Sequence, residues 1–233
     1  MSEPKIIIAL DYDSLEKALD IVNQLDPKLC RLKVGKEMFT LFGPEWVKQL
    51  VSLGFDVFLD LKFHDIPNTV AKACAAAAHL GVWMINVHAT GGSAMMKAAR
   101  ASLDAFGDNR PLLTAVTILT SMSADEYSSI GYKRDIQQQV LHLAKLAQEA
   151  KLDGVVCSAL EAKNLSAELG KDFKLVTPGI RPEGSDKGDQ ARVMTPKQAL
   201  QAGASYLVIG RPITQSKEPL KKLCEISDSL AFN

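Results

Sequence analysis

The chain has 233 residues, close to the roughly 250 that one α/β barrel uses, so we expect a single catalytic domain over 1–233. Apolar residues make up 47% of it and charged residues 23%, a balance that excludes extended disorder. Lys plus Arg and Asp plus Glu each total 27, so the net charge of zero argues against a nucleic-acid partner and favours a small molecule.

Targeting and cysteine patterns point to an ordinary cytosolic protein. No apolar stretch reaches the roughly 18 residues that a membrane span needs, so we expect no membrane partner and a cytoplasmic location. The cysteines have no close pair, which favours buried, reduced thiols over a zinc or redox site. They are Cys30, Cys74, Cys157 and Cys224.

Eight short apolar runs recur along the chain and are nearly continuous in Ile, Val and Leu. Such runs are typical of parallel strands that are covered on both faces. The predicted strands are 5–10, 30–34, 57–61, 84–87, 112–119, 154–157, 175–177 and 206–209.

Segments with helical periodicity separate these runs. The predicted helices are 14–25, 44–53, 66–80, 93–106, 136–150, 159–169 and 196–202. Glycines stand where a helix should end and the next strand begin, and the left-handed conformation that ends many helices favours glycine. These glycines are Gly54, Gly81, Gly154 and Gly203.

The alternation of strands and helices predicts an α/β fold, a single-domain (β/α)8 TIM barrel. An open doubly wound sheet is the alternative, but Leu10-Asp11-Tyr12-Asp13 follows the first strand where a Gly-rich dinucleotide loop would be expected. In a barrel the active site lies at the carboxyl ends of the strands. The polar residues that end each apolar run are therefore the candidates for function.

The densest group of candidates ends the third predicted strand. Strand alternation points Asp60 and Lys62 to one face and Leu61 to the other, and Asp65 follows closely. Lys33 ends the neighbouring strand and completes an alternating Lys, Asp, Lys, Asp array. Burying several charges in one barrel mouth is costly unless they pair, so the array predicts catalysis rather than an idle ion pair.

The carboxylates around Lys62 indicate its role. They favour its charged form, so Lys62 is predicted to donate a proton rather than to form a Schiff base. Asp60 would repel an anionic substrate group, and that repulsion would vanish if the group departed as a neutral molecule.

A second group of candidates follows the last two predicted strands. Arg181 comes after the seventh strand, and Gly210 and Arg211 come after the eighth. Barrels often bind phosphate at this edge through loop amides, a short helix and arginine. The polar stretch 183–192 is longer than most βα loops and is either a lid over the phosphate or a surface insertion.

The histidines give a weaker signal. His88 ends the fourth predicted strand, where a hydrogen-bonding role and a catalytic role are both open. The four histidines are dispersed, and no His, Asp or Glu cluster has the spacing of metal ligands. The sequence therefore predicts no metal site.

The run Asp60-Leu-Lys62-Phe-His-Asp65-Ile-Pro-Asn-Thr69 resembles the signature of the orotidine 5'-phosphate decarboxylase family. The resemblance continues in the same order through 9–11, 32–35, 119–123, 177–181 and 209–213. Related gulonate-phosphate decarboxylases share the Asp-x-Lys-x-x-Asp pattern but have a metal-binding acidic residue near the place of Lys33. Lys33 therefore argues against the metal-dependent relatives.

The resemblance implies cofactor-free decarboxylation of orotidine 5'-phosphate to UMP. Lys62 would protonate C6 of the pyrimidine after carbon dioxide leaves, and Asp60 would lie against the substrate carboxylate. Lys33 would bridge Asp60 and the ribose.

The resemblance further implies a homodimer with shared active sites, in which Asp65 and Thr69 reach the ribose in the partner subunit. The other implied substrate contacts are Asp11 at a ribose hydroxyl, Thr120 in the pocket, Ser123 at the pyrimidine edge, Gln190 between phosphate and base, and Arg181, Gly210 and Arg211 at the phosphate.

Two other hypotheses remain. A metal-dependent decarboxylase or aldolase acting on a sugar phosphate would share the barrel and the phosphate site, and Lys33 argues against it. A catalytically silent nucleotide-binding barrel would keep the fold without turnover. The intact Asp60, Lys62 and Asp65 argue against that reading.

Overall fold

The computed structural model describes residues 3–183 and 193–230 and contains one closed barrel of parallel strands. The strands are β1 (Ile6–Leu10), β2 (Arg31–Gly35), β3 (Val57–Phe63), β4 (Met84–His88), β5 (Leu112–Val116), β6 (Gly154–Val156), β7 (Lys174–Thr177) and β8 (Tyr206–Ile209). They pair in chain order, and β1 also pairs with β8. This closure confirms the TIM barrel and overturns the open doubly wound alternative.

Helices follow the strands around the barrel. They are α1 (Leu15–Val22), α2 (Lys36–Ser52), α3 (Pro67–Ala78), α4 (Gly92–Ala101), α5 (Ala124–Ser129), α6 (Ile136–Glu149), α7 (Ala159–Leu169), α8 (Pro196–Gln201), α9 (Arg211–Thr214) and α10 (Pro219–Ser229). Two 3-10 segments, Ala89–Gly91 and Asp104–Asn109, flank α4. Within the described residues, no helix combines the length and apolarity that crossing a membrane requires.

Several boundaries differ from the predicted ones. Helix α2 begins at Lys36, whereas the predicted helix begins at residue 44. Gly43, with φ 66 and ψ −164, kinks α2, and the predicted helix corresponds to the part after this kink. Strand β5 ends at Val116 rather than at residue 119. The prediction missed α5 and α9, which have only 6 and 4 residues and are too short to show a helical period. It also missed α10, which follows the last strand.

Burial in β1 explains why its sequence is continuously apolar. Ile7 and Ala9 belong to the cluster inside the barrel, whereas Ile6, Ile8 and Leu10 belong to the layer between the barrel and the helices. Both faces of the strand are therefore removed from water, as the pattern of a covered parallel strand requires.

The glycine prediction is confirmed at three positions and wrong at one. Gly54, Gly81 and Gly203 have φ of 88, 76 and 103, and each follows the end of a helix. After α6 the left-handed residue is Lys151, with φ 63. Gly154 is needed for close approach instead, since a Cβ there would lie 2.0 Å from the Lys174 carbonyl oxygen.

The cysteines are all free thiols, as predicted. Cys30, Cys74 and Cys157 are buried and Cys224 is partly exposed, so burial was overstated for the last. Burial raises the pKa of the Cys30 and Cys74 thiols to about 12.

A buried arginine closes the end of the barrel opposite the candidate site. Arg31 is only 4% exposed, and its guanidinium lies 4.0 Å from the Trp83 ring centroid. It forms ion pairs of 3.0 Å with Glu3 and with Asp56. The Tyr206 hydroxyl donates to Glu3 at 2.6 Å. Aromatic stacking and ion pairs together offset the cost of burying this charge.

We expect the Arg31→Ala substitution to lower the free energy of unfolding by about 2 kcal/mol, because it removes the ion pairs and the stacked stem together. Urea denaturation measures this. Lys17→Ala is the control, since Lys17 pairs with Asp13 at 3.3 Å on the exposed surface and should cost less than about 0.5 kcal/mol. Equal effects of the two substitutions would contradict the proposed closure by Arg31.

Candidate active site

Two ammonium groups and two carboxylates meet at the carboxyl ends of β1, β2 and β3. Lys62 Nζ lies 2.6 Å from Asp60 Oδ1. Lys33 Nζ lies 3.5 Å from Asp60 Oδ2 and 3.5 Å from Asp11 Oδ1. The side chains of Lys33 and Asp60 are only 11% and 12% exposed. Two positive and two negative formal charges balance, which makes this degree of burial tolerable.

Strand β3 is irregular where it carries the central pair. Leu59 pairs with Ile85 of β4, and the next pairing joins Phe63 to Val87. Residues 60–62 therefore stand opposite Asn86 alone, and Lys62 has the left-handed φ of 54. The predicted contact of Asp60 with Lys62 is confirmed, but it depends on this bulge rather than on simple strand alternation.

Asn86 on β4 lies opposite the part of β3 where regular strand pairing is interrupted. It is fully buried. Its Nδ2 donates to Asp60 Oδ1 at 2.7 Å, and its Oδ1 accepts the Lys62 backbone N–H at 2.8 Å. Asn86 was not among the predicted site residues, although its polar side chain inside the apolar run of β4 is the signal that marks it.

Gly35 leaves room for the Lys33 ammonium. A Cβ at position 35 would lie 3.2 Å from Lys33 Nζ and 3.7 Å from Asp11 Oδ1. The first distance is tighter than a relaxed contact, so a side chain there would displace the ammonium. The glycine at the end of β2 thus keeps open the space in which Lys33 reaches Asp60 and Asp11.

Asp65 and Thr69 lie apart from this array in the single chain. Both are exposed, and the Asp65 carboxylate accepts the Ile66 backbone N–H at 2.6 Å. Among the residues that the structure describes, no hydrogen bond or ion pair joins Asp65 to Lys62. Within one chain the charged array is therefore Asp11, Lys33, Asp60 and Lys62.

Two predicted substrate contacts, Thr120 in the pocket and Ser123 at the pyrimidine edge, lie in the segment after β5. Thr120 is partly buried, and Ser123 is exposed at the start of α5. The Ser123 hydroxyl accepts the Glu126 N–H at 3.2 Å, and the Glu126 carboxylate accepts the Ser123 backbone N–H at 3.0 Å, which forms a capping box. The hydroxyl also donates to this carboxylate at 3.0 Å. A hydroxyl can accept two hydrogen bonds, so the one at Ser123 retains a site at which it could accept from a pyrimidine, and its role stays a prediction.

The predicted phosphate residues follow β7 and β8. Arg181 is 9% exposed, and its backbone N–H donates to the Met194 carbonyl at 3.0 Å. Gly210 is the N-cap of α9, and Arg211, its first residue, is exposed. Gln190 and most of the predicted lid lie outside the described residues, so these two predictions stay untested.

His88 lies half-buried beside the charged array, with its ring centroid 5.4 Å from that of His64. Burial lowers the pKa of His88 to about 4, and the positive charges of His64, Lys36 and Lys62 act in the same direction. Asp60 opposes the shift. Across 3–183 and 193–230, no group of three or more His, Cys, Asp or Glu side chains could hold a metal ion.

We expect His88 to stay neutral until the pH approaches about 4, while the same group in the unfolded chain takes up a proton near 6.5. Between these values the unfolded state binds more protons. The contribution of a neutral His88 to stability is therefore full above pH 6.5 and is lost as the pH falls toward 4. NMR titration of the His88 ring protons measures its pKa directly, and a midpoint near 6.5 would contradict this expectation.

The chain is similar to known proteins over nearly its whole length. Residues 4–226 match the model of the orotidine 5'-phosphate decarboxylase / HUMPS family. Orotidine 5'-phosphate decarboxylase of Pseudoalteromonas translucida is 66% identical over 97% of both chains, and that of Vibrio parahaemolyticus is 60% identical over 99% of both. The crystal structure of the Lactobacillus acidophilus orotidine 5'-phosphate decarboxylase superposes with a TM-score of 0.88 at 40% identity, covering 99% of this chain and 100% of that one.

Proposed function

The chain belongs to the orotidine 5'-phosphate decarboxylase / HUMPS family, and on that premise we propose how it decarboxylates orotidine 5'-phosphate to UMP in pyrimidine synthesis. The observation that carries the proposal is the Lys62 ammonium, held 2.6 Å from the nearly buried Asp60 carboxylate in a charge-balanced array at the strand ends. This array offers a proton donor and a carboxylate at the same point.

Asp60 acts on the substrate before the bond breaks. Orotidine 5'-phosphate carries a carboxylate on C6, and Asp60 presents a second one to it. Repulsion between the two raises the energy of the bound substrate, and it disappears when the group leaves as neutral carbon dioxide. Energy gained elsewhere on the substrate, above all at its phosphate, offsets this repulsion during binding.

Lys62 acts as the bond breaks. Cleavage of the bond between C6 and the carboxylate leaves an electron pair on C6, and a proton from the Lys62 ammonium joins that pair to give UMP. Lys62 is then neutral and regains its proton from solvent. Because the positive charges of Lys62 and Lys33 are already in place, they favour the negative charge that develops on C6 without further rearrangement.

The remaining predicted contacts hold the nucleotide. Asp11 and Lys33 bind the ribose, Ser123 contacts the pyrimidine edge, and Thr120 lies in the substrate pocket. Gln190 joins the phosphate to the base, and Arg181, Gly210 and Arg211 bind the phosphate, where arginine offers two parallel donors to a dianion. No cofactor or metal enters this scheme. We also propose that residues 1–233 form one catalytic domain and that the enzyme is cytoplasmic.

We expect Lys62→Ala to lower kcat by about 10⁴-fold while the protein stays folded, because general acid catalysis is lost. UMP formation is followed spectrophotometrically with EDTA in excess. Lys163→Ala, an exposed lysine of α7, is the control and should keep the parent rate.

Two outcomes of this assay would contradict the proposal. Full activity of Lys62→Ala would remove Lys62 as the acid. Strict dependence on added metal, or turnover of a keto-sugar phosphate with none of orotidine 5'-phosphate, would instead support the metal-dependent sugar-phosphate enzyme.

We propose further that the enzyme is a homodimer whose sites are shared. Asp65 and Thr69 are exposed at the start of α3 and lie outside the array of their own chain. The neighbouring Ile66 exposes 66% of its surface, which is unusual for an apolar residue beside a catalytic motif. In a dimer, these side chains would contact the ribose bound by the partner subunit.

Mixing two inactive variants tests the shared site. In a hybrid of Lys62→Ala and Asp65→Ala subunits, one site keeps both Lys62 and the partner's Asp65, so random mixing should restore about one quarter of the parent activity. Light scattering establishes the dimer beforehand. A mixture as inactive as its parts would show that each site uses its own Asp65, and a monomer would exclude sharing altogether.

A further inference from the structure

We infer that Asn86 is the positioning residue of this active site, because its side chain is hydrogen-bonded to both Asp60 and Lys62 and thereby holds their relative orientation. The inference rests on the proposed roles of these two residues. Asn86 does not reach the reacting atoms itself in this scheme. It acts through the two groups to which it is hydrogen-bonded.

The orientation of the Asn86 amide is determined by its partners. A backbone N–H can only donate, so the atom that faces Lys62 N at 2.8 Å must be the amide oxygen. A carboxylate can only accept, so the atom that faces Asp60 at 2.7 Å must be the amide nitrogen. Both requirements are met by one orientation, and an inverted amide would break both bonds.

The surroundings leave Asn86 little freedom to move. It is fully buried on β4, two residues beyond Met84, which lies inside the barrel. Its Cα pairs with that of Thr114 on β5, where the register is regular from Met84 to His88. A buried amide in a regular strand moves little, so the hydrogen bonds of Asn86 hold the irregular part of β3 at a set position relative to β4.

The bulge in β3 needs this support. Lys62 has a left-handed φ of 54, which non-glycine residues adopt at a cost and keep only where neighbouring structure holds them. Ordinary pairing of β3 with β4 is interrupted between Leu59 and Phe63. The Asn86 oxygen accepts the Lys62 backbone N–H within this interruption, so one amide supports both the strained backbone of Lys62 and the Asp60 carboxylate.

The consequence for catalysis is one of geometry. Asp60 Oδ1 accepts both the Lys62 ammonium and the Asn86 amide. Removing Asn86 would leave the carboxylate free to rotate and the Lys62 backbone free to relax from its left-handed conformation. The ammonium would then leave the position from which it reaches C6, whereas the ribose and phosphate contacts would stay as they are.

Two substitutions separate the halves of this role. Asn86→Asp has the same shape and keeps an acceptor for the Lys62 N–H, but it sets a second carboxylate against Asp60. Asn86→Leu has a similar volume and removes both hydrogen bonds. Thr114→Val is the matched control, because Thr114 is equally buried on the next strand and its hydroxyl donates only to the Ile85 carbonyl, at 3.4 Å.

Each variant is assayed for kcat on orotidine 5'-phosphate, for binding of UMP by calorimetry and for unfolding by urea. If Asn86 positions Lys62 and Asp60, both Asn86 variants should lose about 100-fold in kcat per folded molecule, because a catalytic group is then misplaced. The Kd for UMP should change by less than about threefold, since uniform binding is retained. Thr114→Val should keep the parent kcat.

A merely structural role predicts a different result. The Asn86 variants would then unfold more easily but keep a kcat within about threefold of the parent per folded molecule, and the inference would be overturned. Should Asn86→Leu not fold, Asn86→Asp decides, because it retains the volume and the acceptor. Equal losses in kcat and in UMP affinity would also reject a positioning role.

The same assays keep this inference apart from the proposed mechanism. If Lys62→Ala retains the parent rate, the mechanism fails. If Lys62→Ala is inactive while both Asn86 variants keep their kcat, the mechanism stands and only the role of Asn86 is lost.

Discussion

The Asp60 carboxylate is the group on which the geometry of the active site depends. It is almost buried, and it accepts hydrogen bonds from Lys62 and Asn86 and forms an ion pair with Lys33. A buried carboxylate is stable only when such donors surround it. The ammonium groups of Lys33 and Lys62 depend on Asp60 in turn, because its carboxylate offsets their positive charges where water has limited access.

The barrel supplies what this network needs, which is rigid attachment at several points. Lys33, Asp60 and Asn86 come from three successive strands whose carboxyl ends meet at one edge of the sheet. Phe58 and Met84 lie one step deeper inside the barrel and form an apolar layer beneath the charges. Charges above such a layer interact more strongly than in water, and they cannot reorganise without disturbing the strands that carry them.

The strand β3 is irregular at the residues that carry the charged pair Asp60 and Lys62. A straight strand would pair every residue with β4, whereas here three residues stand opposite one and Lys62 is left-handed. Strain of this kind occurs where surrounding structure imposes it. The hydrogen bond from the Lys62 backbone to Asn86 and the regular pairing of β4 with β5 are parts of that surrounding structure.

The sequence by itself determined the eight strands, most of the helices, the barrel and the charged motif at the end of β3, because apolar period and strand-end polarity are local properties of the chain. It could not determine the bulge at Lys62 or the two hydrogen bonds of the Asn86 amide. Nor could it show that Lys151, rather than the predicted Gly154, is the left-handed residue after α6. These depend on which atoms of neighbouring strands come within hydrogen-bond distance. Only the pairing of β3 with β4 brings Asn86, 24 residues further along the chain, against Lys62.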